Sequence, residues 1–575
     1  MLPRSSSVVF ATMIAALLGA GCASVSAPFG LSRSGHALTE DFSSDGGTRL
    51  YHAQSALTQA HAAKILGREV CVDLYHRAAS LAWYAAAAQS VHAIAESPQA
   101  NAIYRDALQG LINQGERFGR WTGGQGLRVC TDEGEIFLPL QCIGPIWQSD
   151  EFDHVKVVDN NHAKGLDNYY RCPGVGVTTV GIRHRRNVPD DQFSPRNRYA
   201  SATILMRPAS DSDSAMAGPM VIEVHDPLRS KTVEIGGDFF SLAADYSAPI
   251  KTAMGSYTTT DVFQAFLQPG QTHPDESGLF TLERYQPGKI PVIVVHGLLS
   301  DRFTWANFIN EVRVQSDLLD RFQFWSYQYP TGEPFLQSAA RLRRDLEELR
   351  DLHDPTRSDA ALDQTMIVGH SMGGLIAKLQ VISTGDELWR SIASRPLDQI
   401  AADNRARATL AELFYFQPSP MVSRVVFIGT PHRGSAFAQR AIGRLGALLV
   451  REPEELRQRQ RRVVEANPGV FSDEFSRRFP TSIDLLNPSS ELLQAIGRLD
   501  FDPAITSHSI IGNWRPMIGN GPSDGIVPIA SARIDQVETQ LVVHQKHTGL
   551  TNDPVVIAEV MRIMRQHAMQ DLAIQ

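Results

Sequence analysis

A serine between glycines is the residue of this chain best suited to act as a nucleophile. Ser371 stands in the sequence Gly-His-Ser-Met-Gly at 369–373, directly after an apolar run at 366–368. A chain that turns sharply from a strand into a helix holds such a serine in a strained conformation with its hydroxyl exposed, and the flanking glycines leave room for the turn. The pattern therefore predicts a strand, a tight turn at Ser371 and a helix. Alone, the five residues could also form an ordinary turn.

A general base and an acid for this serine follow later in the chain. Asp524 lies in Pro-Ser-Asp-Gly at 522–525, and His547 lies in Lys-His-Thr-Gly at 546–549. A serine hydroxyl needs a neighbouring base, and the base needs a third group that orients it. Each residue alone could be an ordinary turn or loop residue. His544 is an alternative base, but it adjoins a predicted strand at 539–543, so we prefer His547.

Two further apolar runs indicate strands next to the one that precedes Ser371. Residues 289–295 are mostly β-branched and lead into His-Gly-Leu-Leu at 296–299, and residues 425–428 lead into Gly-Thr-Pro-His-Arg-Gly at 429–434. Continuous runs of this kind are typical of strands that are buried on both faces of a parallel sheet. The histidine at position 432 could serve as a second base.

These features together resemble the lipase and esterase branch of the α/β-hydrolase superfamily. The resemblance extends from residue 285 to the end of the chain, and the order Ser371, Asp524, His547 is the order of that superfamily. Trp305 and the Tyr-Pro-Thr-Gly sequence at 329–332 also match. The resemblance implies that His432, in its Thr-Pro-His loop, is a structural residue or a pocket wall and not a second base. The resemblance implies an α/β fold, the α/β-hydrolase fold, with a doubly wound, mostly parallel sheet flanked by helices.

The same resemblance implies a reaction. Ser371 would attack an ester carbonyl, His547 would take its proton, and Asp524 would hold the imidazole. The backbone amides of Leu298 and Met372 would form the oxyanion hole. Water is the usual acceptor, and no metal or organic cofactor is needed.

We expect a serine hydrolase of carboxylic esters whose substrates are lipids or other hydrophobic acyl esters. An acyltransferase, a thioesterase or an amidase would use the same three side chains, because each reaction passes through an acyl-enzyme. A non-catalytic scaffold or binding protein of the cell envelope would keep the fold without the activity.

The N-terminus indicates export. A mostly apolar run of 14 residues at 8–21 is too short to span a membrane and is typical of a signal peptide. Residues 17–22 resemble a bacterial lipoprotein signal in which Cys22 is lipidated and becomes the mature N-terminus, although Gly19 stands where leucine is usual. Several acyl chains on Cys22 would anchor the protein to a membrane. Ala23 favours an outer-membrane lipoprotein facing the periplasm, and a soluble periplasmic or secreted enzyme is the alternative.

The composition excludes one class of partner. The formal net charge of −8 gives no basic patch, so we expect no nucleic-acid partner. The remaining cysteines, whose spacing suggests no metal site, could form two disulfides in three possible pairings or stay free thiols. They are Cys71, Cys130, Cys142 and Cys172.

The chain divides into four segments by pattern. A signal peptide (1–21) precedes an alanine-rich segment of helical pattern (22–120), a β-rich domain of short runs and turns (121–286) and the catalytic domain (287–575). Within the catalytic domain, residues of about 435–506 are too many for a plain connection and predict a cap insertion. The N-terminal helices could pack on the rest of the protein or offer a surface to a protein partner.

Overall fold

The computed structural model describes residues 45–87, 94, 97–144, 147, 151–158, 165–209, 219–255, 277–436, 454–477, 480–517 and 521–574. The predicted signal peptide and lipidation site, Cys22, lie outside these residues. So does 437–453, the first part of the predicted cap.

The described residues begin with helices α1 (Gly46–Ile65), α2 (Cys71–Ala87) and α3 (Pro98–Arg117). The side chain of Asp45 accepts a hydrogen bond from the amide of Thr48 at the start of α1. At the start of α3, Ser97 accepts one from the amide of Ala100, and proline occupies the first helical position. Both starts follow the usual capping rules.

The next region is built from short strands. They are β1 (Trp121–Thr122), β2 (Gly126–Thr131), β3 (Gly134–Ile143), β4 (His154–Val157), β5 (Arg171–Cys172), β6 (Val177–His184), β7 (Asn197–Pro208), β8 (Met220–His225), β9 (Thr232–Ile235), β10 (Asp238–Ser241) and β11 (Ala244–Asp245). Seven of them form a sheet in the order β1-β2-β3-β8-β7-β6-β4, in which only the β3–β8 pair is parallel. A 3-10 turn (Pro189–Asp191) precedes β7, and helix α4 (Ala248–Met254) follows β11.

The helices and this sheet share one hydrophobic core. Buried side chains of α1, α2 and α3 belong to the same cluster as those of β2, β7 and β8. The hydroxyl of Tyr104 on α3 donates to the carbonyl oxygen of Met206 on β7 at 2.9 Å and accepts from the Met206 amide at 2.7 Å. The helical segment and the β-rich region therefore pack together as one unit.

The C-terminal region contains a second seven-stranded sheet. Its strands are β12 (Gly278–Thr281), β13 (Ile290–Val295), β14 (Phe322–Gln328), β15 (Thr365–His370), β16 (Val422–Ile428), β17 (Thr506–Gly512) and β20 (Thr539–Val543), with β18 (Arg515–Met517) and β19 (Gly521–Ser523) forming a separate hairpin. The order is β12-β14-β13-β15-β16-β17-β20, and only β12 is antiparallel to its neighbour. This region is a mixed α/β structure.

Helices accompany these strands along the chain. They are α5 (Ala306–Val312), α6 (Ser316–Arg321), α7 (Phe335–His353), α8 (Met372–Lys378), α9 (Glu387–Arg390), α10 (Asn404–Phe414), α11 (Glu454–Ala466), α12 (Asp473–Arg477), α13 (Ser482–Leu485), α14 (Glu491–Arg498), α15 (Ile529–Ala532) and α16 (Pro554–Ile574). Single 3-10 turns occupy Arg302–Trp305, Ala360–Gln364, Leu397–Gln399 and His547–Asn552.

The sheet carries a hydrophobic core on each face. Val292 and Val294 of β13 belong to one cluster, and Ile293 and Val295 belong to the other. Successive side chains of a strand point to opposite faces, so a strand that is covered on both sides must be apolar throughout. This explains the unbroken apolar runs in the sequence.

The segment predicted as a cap contributes to one of these cores. Helices α11 to α14 lie in this segment, and Val463, Phe475, Leu493 and Ile496 from them are buried in the cluster that also holds Phe427 of the sheet. The described part of the segment is thus packed against the second sheet.

Polar contacts join the N-terminal unit to the C-terminal sheet region. The Asp167 amide donates to Asn307 Oδ1 at 3.0 Å, and the Tyr170 hydroxyl donates to Glu311 Oε2 at 2.5 Å. No disulfide joins the four cysteines within the described chain. None of the described helices combines the length and hydrophobicity needed to cross a bilayer.

Candidate active site

Ser371 lies at the turn between strand β15 and helix α8. Its backbone has φ 55° and ψ −123°, a conformation that side-chain-bearing residues rarely adopt. The Ser371 amide donates to the carbonyl oxygen of Ile428 on the neighbouring strand at 2.8 Å, and the Ser371 carbonyl accepts from the Gly374 amide at 3.0 Å. The surrounding structure therefore holds the serine in a strained turn.

Glycines are required around this turn because there is no room for side chains. A Cβ atom at position 373 would lie 2.4 Å from the carbonyl oxygen of His296, and one at position 374 would lie 1.9 Å from Oγ1 of Thr430. Both distances are far below van der Waals contact. Gly373 and Gly374 thus allow helix α8 to approach the loops that follow β13 and β16.

The three side chains selected from the sequence meet at this turn. His547 Nε2 lies 2.9 Å from Ser371 Oγ, and His547 Nδ1 lies 2.7 Å from Asp524 Oδ2. With the Nδ1 proton donated to the carboxylate, Nε2 is the acceptor that faces the serine hydroxyl. All three are buried, and Ser371 is the most accessible at 9% exposure. The arrangement can take a proton from the serine hydroxyl.

The loop of Asp524 is fixed by its own hydrogen bonds. Asp524 Oδ1 accepts from the amides of Ile526 at 2.9 Å and Val527 at 2.6 Å, which leaves Oδ2 for the histidine. The His547 amide also donates to the backbone oxygen of Asp524 at 2.9 Å. His544, the alternative base, is exposed, and its ring packs against Trp514 with centroids 5.4 Å apart.

The loop after β13 lies against the serine. A Cβ atom at Gly297 would be 2.9 Å from Ser371 Cβ. The next residue is Leu298, and among the described residues neither its amide nor that of Met372 has a hydrogen-bond acceptor. Leu299 has φ 53° and donates from its amide to Thr331 Oγ1 at 3.3 Å. Within the described chain the two predicted donors thus have unused N–H groups, one directly after Ser371 and one directly after Gly297.

The loop is anchored by a histidine and a tyrosine whose contact was not expected from the sequence. The rings of His296 and Tyr329 stack with centroids 4.3 Å apart. The Tyr329 hydroxyl donates to the His296 carbonyl oxygen at 2.7 Å, and the Tyr329 amide donates to His296 Nε2 at 3.3 Å. Burial lowers the pKa of His296 to about 4, so this ring is neutral.

His370 contacts His547, and the sequence did not predict this contact. Its Nε2 lies 3.2 Å from the backbone oxygen of His547, and the two rings have centroids 4.8 Å apart. Burial, followed by the neighbouring His547, lowers the pKa of His370 to about 3. The position of His370 directly before the serine in the Gly-x-Ser-x-Gly pentapeptide was the sequence feature that could have indicated this contact.

His432 does not join the three side chains. Its ring packs edge-on against Phe427 with centroids 4.8 Å apart, and neither ring nitrogen has a hydrogen-bond partner among the described residues. Burial lowers its pKa well below the usual value. A neutral imidazole packed in this way fits the structural interpretation.

In the described parts of the chain, no three histidine, cysteine, aspartate or glutamate side chains are grouped so that they could hold a metal ion.

Comparison with known proteins identifies similar structures at low sequence identity. No family model and no curated protein matches the sequence. The chain is similar to the mature lipase BlEst2 of Bacillus licheniformis, with 14% identity over 49% of this chain and 94% of that chain and a TM-score of 0.30. It is also similar to a Staphylococcus hyicus lipase, with 14% identity over 49% of this chain and 95% of that chain and a TM-score of 0.30.

A third similar structure comes from work on carboxylesterases of Nitrososphaera gargenis. It has 13% identity over 52% of this chain and 98% of that chain, with a TM-score of 0.28. These three similar structures are thus described as lipases and carboxylesterases.

Proposed function

We propose that this protein is a serine hydrolase of carboxylic esters that works through Ser371, His547 and Asp524. The observation that carries the proposal is a pair of short contacts. His547 Nε2 lies 2.9 Å from Ser371 Oγ, and His547 Nδ1 lies 2.7 Å from Asp524 Oδ2. The serine at one end of this arrangement lies in a strained turn. Strain of this kind persists only where the surrounding structure holds it, and it concentrates at functional sites.

The reaction begins with a proton transfer. His547 Nε2 accepts the hydroxyl proton as Ser371 Oγ attacks the ester carbonyl carbon, and the Asp524 carboxylate stabilises the imidazolium that results. The tetrahedral intermediate collapses when the alcohol oxygen leaves with the proton from Nε2. A water molecule, deprotonated by the same nitrogen, then releases the acid and restores the serine.

The amides of Leu298 and Met372 would bind the oxyanion that forms in both steps. Support comes from their unused N–H groups and from the contact between Gly297 and Ser371. Donors that are already oriented need no rearrangement as the charge develops, and losing one typically costs about 10²–10³ in turnover.

Hydrophobic acyl esters are the proposed substrates. Ser371 is only 9% exposed, and an apolar acyl chain gains from leaving water whereas an unpaired polar group loses. We propose that the doubly wound α/β-hydrolase arrangement, with a cap formed by residues of about 435–506, encloses the acyl chain there. Apolar burial of α11 to α14 beside the sheet supports this arrangement.

A series of esters of increasing acyl chain length tests the substrate class. Each methylene buried in an apolar site should add up to about 0.8 kcal/mol, so kcat/KM should rise through the short chains until the site is full. Ser371→Ala serves as the background control. A preference for acetyl esters with a flat profile beyond them would contradict a hydrophobic acyl site and leave the serine chemistry standing.

The proposed location is the outer membrane, with the mature chain anchored through lipid on Cys22 and facing the periplasm. Metabolic labelling with a palmitate analogue should modify the wild type and Cys130→Ser, because Cys130 is an exposed thiol outside the signal. Cys22→Ser should remain unlabelled, since serine cannot form the thioether. Equal labelling of all three would contradict the assignment of Cys22.

A further inference from the structure

The turn between helices α1 and α2 faces solvent along its whole length. Every residue of 64–70, which we call the hairpin tip, is exposed. The helices on either side of it are held in place, because Ala56 and Ala60 of α1 and Val72 and Tyr75 of α2 are buried in the core that they share with the first sheet. The tip is therefore the exposed end of a helical hairpin whose base is fixed by packing.

Three large apolar side chains of the tip lie in water. Ile65 is 85% exposed, Leu66 is 65% exposed and Val70 is 45% exposed. Ile65 is the most exposed large apolar side chain of the described residues. A single exposed leucine is common on protein surfaces and needs no explanation. Three such side chains within six consecutive residues form an apolar patch, and exposed patches mark sites of interaction.

The backbone of the tip is closed by its own hydrogen bonds. The amide of Leu66 donates to the carbonyl oxygen of Ala62 at 3.1 Å, and the amide of Arg68 donates to that of Ala63 at 2.9 Å. Gly67, with φ 64°, supplies the left-handed residue with which helices commonly end. Unpaired backbone groups are unfavourable in apolar surroundings, so these bonds make it easier for the turn to enter them.

The unpaired charges of the tip are positive. Its one carboxylate, Glu69, pairs with Arg120 at 2.8 Å. Within the described chain, the side chains of Lys64 and Arg68 form no ion pair and no hydrogen bond. Two free cations beside an apolar patch complement a bilayer surface that carries anionic lipids.

The size and shape of the tip favour a bilayer over other partners. Small-molecule sites are concave, whereas the tip is the exposed end of a hairpin. A stable protein interface takes about 20–30 residues from each side, and the tip has seven. Binding to a bilayer needs no matching shape, because it depends on the apolar area that is buried and on attraction to anionic lipids.

We propose that the hairpin tip is a membrane-contact site that inserts Ile65, Leu66 and Val70 into the surface of an anionic bilayer. Lys64 and Arg68 lie beside the lipid head groups. Three side chains give weak and reversible binding, so the tip orients the protein on a membrane and does not anchor it. The contact makes no use of the proposed active site, so it stands independently of the proposed hydrolase activity.

Vesicle flotation with the chain from residue 23 to residue 575 tests the proposal. This chain keeps every described residue and lacks the predicted signal peptide and lipid, which would bind membranes by themselves. Binding is measured over a range of lipid concentrations. The chain should bind vesicles of equal parts phosphatidylglycerol and phosphatidylcholine more tightly than vesicles of phosphatidylcholine alone, because the two cations are attracted to the anionic surface.

Variants of the tip separate the apolar contribution from the electrostatic one. Ile65→Gln combined with Leu66→Gln should weaken binding to the anionic vesicles about tenfold or more, because it removes the apolar surface that enters the bilayer. Met569→Gln, at a 64% exposed position of α16, is the matched control and should bind like the wild type. Lys64→Gln combined with Arg68→Gln should weaken binding to the anionic vesicles by on the order of tenfold and leave binding to phosphatidylcholine alone unchanged.

Several results would overturn the proposal. They are the absence of vesicle binding by the wild type, equal binding of the wild type to both kinds of vesicle, and unchanged binding of the apolar variant when circular dichroism shows it to be folded. Self-association without lipid that the apolar variant abolishes would replace the membrane with a second copy of the chain. None of these measurements involves ester turnover, so their failure is separate from any failure of the hydrolase proposal.

Discussion

His370 Nε2 lies 3.2 Å from the backbone oxygen of His547, so the residue beside the proposed nucleophile is tied to the backbone of the proposed base. The pKa of His370, lowered by burial to about 3, keeps its ring neutral. A neutral imidazole that donates from Nε2 leaves Nδ1 unprotonated, and Nδ1 has no hydrogen-bond partner among the described residues. This contact links the end of strand β15 to the loop that carries the imidazole.

Replacing His370 tests whether this link positions the base. His370→Ala should lower kcat by about ten- to a hundredfold with little change in KM, because a small displacement of a catalytic group is costly. His370→Gln, whose amide can still donate, should recover part of the loss. Steady-state kinetics on a soluble ester measure both constants. Equal activity of His370→Ala and the wild type would remove His370 from the positioning of His547.

Substitutions of His547 and of His544 should have sharply different effects on ester hydrolysis. His547→Ala should lose activity to the same degree as a serine variant, by about 10⁶ in turnover, because nucleophile and base act as one unit. His544→Ala is the matched control and should remain active, since His544 is exposed and packs against Trp514. The opposite pattern in ester hydrolysis would assign the base to His544.

Acid should destabilise the fold through its buried histidines. Burial lowers the pKa of His76 to about 4, so the folded state keeps this ring neutral while the unfolded chain binds a proton below about pH 6.5. The stability that neutral His76 contributes is therefore complete above about pH 6.5 and is lost as the pH falls toward 4. Asp226 and Asp345 act in the opposite sense, because burial raises the pKa of each to about 6.

Chemical denaturation at several pH values measures the contribution of His76 to the unfolding free energy. The difference in unfolding free energy between wild type and His76→Gln should change by on the order of 3 kcal/mol between about pH 7 and pH 4, to the disadvantage of the wild type. Comparing the variant with the wild type cancels the opposing effect of the two aspartates. A difference that does not depend on pH would show that His76 is protonated equally in both states.

Much of the C-terminal region could be predicted from the sequence because its strands are covered on both faces. Runs such as 290–295 and 365–368 have no polar alternation, and that pattern distinguishes a buried parallel strand. The glycines at 373 and 374 predicted the tight turn, and the order of serine, aspartate and histidine predicted the three site residues. The structure brings Ser371, Asp524 and His547 together at hydrogen-bonding distances.

Contacts between distant segments could not be predicted in this way. The stacking of His296 on Tyr329 and the contact of His370 with His547 depend on how loops from different strands approach one another. For the same reason, the sequence predicted that the N-terminal helices could pack on the rest of the protein but did not indicate that the first sheet is the element they cover. Helical and strand periodicities report which face is apolar, but they do not report which element covers it.

Covalent labelling of Ser371 tests the central claim most directly. A fluorophosphonate should modify the wild-type chain at a single residue, and mass spectrometry of the digest should find the adduct on the peptide that contains Ser371. Ser371→Ala should not react, whereas Ser383→Ala, which removes an exposed serine of the same region, should react like the wild type. An adduct on another residue, or no reaction of the folded wild type, would contradict the account of Ser371 as the nucleophile of a serine hydrolase.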